Sequence, residues 1–160
     1  MLSQLKNLSL NLDGCYATDA DLQWLEDYAQ SYALRLETYQ QLQVCEAAIV
    51  QQVLEKIKTL SPNLFFSGRE DMTAKWKRDT LRVLRYSAIA LLINDPDTLR
   101  ERFLLWFQTI MRAFGAQHSC AVTYEVMHQV VQQHLTPKQA NLFCPILELN
   151  RQVLGPSTQG

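Results

Sequence analysis

Apolar residues recur along most of this chain at steps of three and four, the spacing of one face of an α-helix. Leu2, Leu5, Leu8 and Leu10 make a short stripe of this kind. Asp13-Gly14 then reads as a turn. Thr18 followed by Asp21 has the form of a capping box, which starts a long helix. Its apolar face is Leu22, Leu25, Tyr28, Tyr32, Leu36 and Tyr39. Helical pattern resumes through Val44, Ala48, Val53, Leu54 and Ile57. It stops at Ser61-Pro62, because proline disfavours helical geometry in the residue before it.

The loop over 61–68 carries Leu64, Phe65 and Phe66, which either dock on the core or form an exposed patch for a partner. A further helix is expected over 70–93. In Asn94-Asp95-Pro96-Asp97, Asp95 and Pro96 suit the N-cap and first helical position. Residues 98–114 read as one helix closed by Gly115. Another is expected over 119–134. Thr136-Pro137 caps the last, in which Pro145 should bend or break the helix. No repeat, linker or strand pattern is visible. About seven helices in a single domain over 1–155, with a polar, frayed tail over 156–160, make an all-α fold, either globin-like or a bundle.

Composition narrows the functional classes. The 160 residues are 48% hydrophobic and 19% charged, a globular balance. A formal net charge of -1 argues against a nucleic-acid partner. No apolar run reaches the ~20 residues of a transmembrane helix, and the N-terminus lacks signal-peptide features. These features place the protein in the cytoplasm by default. Cys15, Cys45, Cys120 and Cys144 form no CxxC pair and no metal-ligand spacing, so they read as free thiols and no metal site is expected. No nucleophile elbow, P-loop or HExxH is present, so no catalytic residues are assigned and the chain does not read as an enzyme.

One segment is more specific. Met72-Thr73-Ala74-Lys75-Trp76-Lys77-Arg78-Asp79, continuing to Leu84-Arg85-Tyr86, resembles the pigment-bearing helix of the phycobiliproteins, allophycocyanin in particular. That helix reads approximately M-T-A-x-C-x-R-D, then L-R. Here Trp76 stands at the cysteine. Gly14-Cys15-Tyr16-Ala17-Thr18 resembles the family's junction after its N-terminal hairpin. Asn94-Asp95, Leu99 and Ala113-Phe114-Gly115 resemble its later turns. The likeness fades after about residue 118.

The resemblance implies a globin-like fold preceded by an N-terminal helical hairpin over 1–30. It also implies assembly into homo- or hetero-oligomers with phycobiliprotein-like subunits, or with phycobilisome or photosystem components. In the family an acidic hairpin residue pairs with the arginine matching Arg85. Asn11 occupies the acidic position here, with Asp13 nearby, so the expected interface residues are Asn11, Asp13, Arg85 and Tyr86.

A bilin site is expected at Lys75, Trp76, Arg78 and Asp79, whose helical steps, with Arg82, bring cations and a carboxylate to one face. Cations pair with tetrapyrrole propionates, and a carboxylate accepts pyrrole N–H bonds. The same residues also read as a solvated face with weak ion pairs. Trp76 cannot form a thioether. It either stacks on a non-covalently held linear tetrapyrrole such as phycocyanobilin, or fills the pocket and excludes one. Arg82 and Val83 replace paired aromatics of the family, and Met111 replaces a tyrosine. Cys144 and Cys45 lie near second attachment sites of some relatives, but out of register.

A haem globin would need a proximal histidine on the matched helices, and His118, His128 and His134 all lie towards the C-terminus. Trp106-Phe107, with Phe103 and Phe114, reads as core or, if exposed, as an interaction patch. Two functions remain. One is a phycobilisome-type scaffold, assembly or regulatory subunit of the photosynthetic antenna without covalent bilin. The other is an antenna subunit holding bilin non-covalently for energy transfer. Both imply a cyanobacterial-type cell and a place on the cytoplasmic side of the thylakoid.

Overall fold

The computed structural model describes residues 2–12 and 14–156. The chain folds as α1 (Leu2–Asn11), α2 (Asp19–Leu60), a 3₁₀ turn (Pro62–Phe65), β1 (Phe66–Ser67), β2 (Glu70–Asp71), α3 (Thr73–Leu92), α4 (Pro96–Leu99), a π-helical turn (Arg100–Leu104), α5 (Leu105–Ala113), α6 (Gln117–His134) and α7 (Pro137–Leu154). This is the all-α architecture that the apolar spacing implies.

Local chemistry sets the helix starts. Asp21 N–H donates to Thr18 Oγ1 at 3.3 Å, and Thr18 N–H returns a bond to Asp21 at 2.9 Å. Thr136 and Gln139 close the same reciprocal cap on α7. Asp95 accepts from Thr98 N–H at 3.2 Å ahead of Pro96. Each cap satisfies N–H groups that a helix start leaves unpaired.

α2 runs 42 residues without a break and passes residue 30 uninterrupted. None of its residues before Thr38 is buried. Its first half is tied to the end of α3 by Tyr28 Oη–H to Leu92 O at 3.2 Å and Arg35 Nη1–H to Leu91 O at 2.9 Å. From Leu42 onward, Cys45, Ile49, Val53 and Ile57 enter the core at steps of three and four. They meet Val83 and Leu84 of α3, Met127 of α6 and Phe143 of α7, all buried. A buried polar link joins α3 to α7: Asn150 Nδ2 donates to Ser87 Oγ at 2.7 Å. The chain's start is fastened by Ser3 of α1, whose N–H and Oγ–H each reach the Asp95 carboxylate at 2.9 Å.

Three expectations are corrected. Residues 98–114 are not one regular helix, because a π-helical turn separates α4 from α5. The buried positions Leu99, Phe103, Phe107 and Met111 step by four through it, a spacing that an unbroken helix also shows, so the pattern does not signal the turn. Pro145 does not break α7, which continues to Leu154. Pro145 is exposed, and so is Asn141, whose carbonyl it leaves without a helical partner. A two-residue antiparallel ladder pairs Phe66 with Asp71 and Ser67 with Glu70, too short for a period-two pattern. In the preceding loop, Phe65 docks in the core while Phe66 stays exposed.

Candidate functional site

A cavity of about 220 Å³ opens where the first turns of α3 face the end of α5 and the start of α6. Trp76 is one wall. Its Nε1–H donates to Thr123 Oγ1 of α6 at 2.9 Å. Phe65 meets the indole edge-on, with ring centres 5.2 Å apart. The indole is therefore gripped from two sides, and its polar atom is satisfied as a half-buried tryptophan requires.

Lys75 and Asp79 also line the cavity. Lys75 Nζ sits 4.0 Å from the centre of the Phe114 ring, a cation over an aromatic face at the rim. Gly115 follows with φ +64°, which turns the chain from α5 into α6. Deeper in the wall lie Cys120 and Tyr124. Burial pushes the Cys120 thiol up to about 12, and the Asp79 charge adds to the shift. Burial also raises the Tyr124 phenol. Both groups are neutral at physiological pH.

Arg78 does not join Lys75 and Asp79. It lines a separate surface groove with Arg82, Arg85 and Tyr86, and its side chain is 74% exposed. It reaches Asp79 only at 3.5 Å. The helix explains the split. At 3.6 residues per turn, positions 75 and 79 drift to one side of α3, and 78 and 82 to the other. Arg82 lies 5.9 Å from the Phe103 ring centre and 5.8 Å from that of Trp106.

Among the expected interface residues, Arg85 pairs within its own chain. Its Nε and Nη2 donate to the two Glu46 carboxylate oxygens at 2.8 and 2.5 Å. The hydrogen bond from Arg85 holds Glu46 below its usual carboxyl range. Tyr86 stacks on Phe103 with ring centres 4.2 Å apart. Asn11 ends α1, but its side chain and the whole of Asp13 lie outside the described residues. The aromatic cluster divides: Phe103 and Phe107 are buried, whereas Trp106 is 52% and Phe114 67% exposed.

Sequence reasoning missed Thr123, Cys120 and Glu46. Glu46 carried no local signal, being 39 residues from Arg85 on another helix. Cys45 and Cys120 are buried, Cys144 is half-buried and Cys15 is exposed. No histidine lines the cavity. Among the described residues no group of three or more His, Cys, Asp or Glu side chains could hold a metal ion, and no helix is long and apolar enough to cross a membrane.

A model of the phycobilisome protein family matches residues 9–154. The chain belongs to the phycobilisome protein family. The match runs through α6 and α7, well past residue 118 where the quotable motifs fade. No curated protein matches the chain. Phycobilisome proteins normally carry bilin chromophores and assemble with other subunits of their kind. In this phycobilisome protein, Lys75 and Asp79 have the chemistry to meet a bilin's propionates and pyrrole nitrogens. The cavity they line opens to solvent and measures about 220 Å³.

Proposed function

We propose that this phycobilisome protein is a pigment-free interaction subunit, serving assembly, scaffolding or regulation of the antenna rather than catalysis. The Trp76 wall carries the reading. An indole anchored by Thr123 and Phe65 occupies the position of the attachment cysteine and narrows the pocket to about 220 Å³. Nor does Cys120, the cysteine that lines the cavity, offer an attachment point. Its thiol is pushed up to about 12, and attachment chemistry needs the thiolate.

The interaction surfaces are the first half of α2, with Leu22, Leu25 and Tyr32 exposed, and the groove bearing Arg82, Tyr86 and Ile89. The first carries Asp19, Asp21, Glu26 and Asp27, and the second is cationic. Such opposite charges favour contacts with phycobiliprotein-like subunits in homo- or hetero-oligomers. With Arg85 held by Glu46, Arg78 and Arg82 are the cations of the groove left to meet a partner. The place of work is the cytoplasmic side of the thylakoid, as a peripheral component.

A second reading, an antenna subunit with non-covalent phycocyanobilin, is favoured by one observation. Lys75 and Asp79 share the cavity wall. Visible absorption of protein purified from a bilin-producing host separates the two. A colourless protein supports the pigment-free subunit. A coloured band that follows the native protein through gel filtration, but separates in acid urea, overturns it in favour of the second reading.

A further inference from the structure

The cavity beside Trp76 has more than featureless apolar walls. An apolar cavity of about 150 Å³ can hold a single benzene ring, so about 220 Å³ suits one ring or a fused pair with a short substituent. Trp76, Phe65, Phe107, Met111 and Phe114 supply flat and polarisable surfaces for such a ring system.

Two charges on neighbouring turns of α3 line one wall of the site. Lys75 makes no ion pair among the described residues, and its ammonium rests on the Phe114 ring at the rim. Asp79, one helical turn on, faces the same space. Its carboxylate would repel a second anion, but Arg78 stands 3.5 Å away on its outer side. The pair therefore favours a ligand with an anion at the Lys75 end and a hydrogen-bond donor at the Asp79 end.

We infer that this cavity binds a small aromatic acid bearing a ring N–H, an indole carboxylate in chemical class. Its carboxylate pairs with Lys75, its N–H donates to Asp79, and its ring lies against Trp76 and Phe114. The inference rests on the reading above that no bilin fills the site.

The test is titration of the full-length protein with indole-3-acetate, followed by calorimetry and ligand-observed NMR. A ligand of this size should bind with a Kd of about 1 mM or tighter. Lys75→Met should weaken indole-3-acetate about tenfold while leaving uncharged indole-3-acetamide unchanged. 1-Naphthaleneacetate, which lacks the N–H, should bind more weakly than indole-3-acetate to the wild type, and Asp79→Leu should erase that difference. Ser119→Phe, which fills the cavity from α6, should abolish binding of all three. Saturable binding that Lys75→Met leaves intact, or no binding by a folded, colourless wild-type protein at about 5 mM, overturns the inference alone. A protein that emerges coloured overturns the pigment-free reading beneath it.

Discussion

Trp76 and Thr123 are joined by a 2.9 Å hydrogen bond that ties α3 to α6 across the mouth of the cavity. Thr123 is buried, so an indole deprived of this acceptor has little water to turn to. Thr123→Val keeps the side chain's shape and removes the acceptor. It should cost about 1–3 kcal/mol in urea unfolding, the penalty of an unpaired half-buried donor. In a Trp76→Phe background the same change should cost much less, because no donor is left stranded. Equal costs in both backgrounds would show that the bond contributes nothing.

Trp76→Cys should restore covalent pigment attachment. It supplies a thiol at the family's attachment position and removes the indole that narrows the pocket. The void will also destabilise the protein by about 3–5 kcal/mol if the site does not collapse. Co-expression with a bilin source and a suitable lyase should give a fluorescent band on a denaturing gel. An unlabelled but folded variant would mean that the pocket closes without the indole.

Much of this was legible in the sequence, for a physical reason. Thr18 with Asp21, Asp95 with Pro96 and Thr136 with Pro137 act within one helical turn, so their caps can be read from neighbouring letters. The segment from Met72 to Asp79 is equally local. Arg85 with Glu46 and Trp76 with Thr123 are not, because each pair meets only after separate helices pack. The split of Lys75 and Asp79 from Arg78 and Arg82 was half legible. Helical steps place all four broadly together, and only the position of α5 and α6 decides which side of that arc becomes a cavity.

The four thiols should differ sharply in reactivity. Cys15 is exposed, while burial raises the thiols of Cys45, Cys120 and Cys144, Cys120 to about 12. Since the thiolate is the reactive form, an aromatic disulfide reagent at neutral pH should modify Cys15 first and Cys120 only on unfolding. Fast labelling of Cys120 in the native protein, located by peptide mapping, would contradict the burial of its thiol.

Asp95 should make stability fall in acid. Burial raises its pKa, but the hydrogen bonds from Ser3 and Thr98 outweigh that and hold it at about 2, below the ordinary 3.8. A depressed carboxyl contributes stability above its unfolded pKa and loses it as pH falls from about 5 towards 2. Between about pH 6 and 3 the wild type should lose roughly 1 kcal/mol more than Asp95→Asn. Because Ser3 is a partner, amides of α1 should also exchange faster in the variant. Parallel pH profiles for the two proteins would show that the clip carries no linkage.

Pro145 offers the most direct check on the last helix. α7 passes through it intact, with Phe143, Ile146 and Leu147 buried on the opposing face and Pro145 itself exposed. The ring removes one helical N–H donor and crowds the carbonyl of Asn141. Proline in a helix interior is about 3 kcal/mol less favourable than alanine. Part of that returns through the stiffer unfolded chain, worth about 0.4–1 kcal/mol. Pro145→Ala should therefore stabilise the protein by about 2–2.5 kcal/mol, seen as a higher Tm with the same helical circular dichroism. An unchanged or lower Tm would mean that core packing on α7 depends on the local geometry proline imposes, and that its retention in mid-helix is structural rather than tolerated.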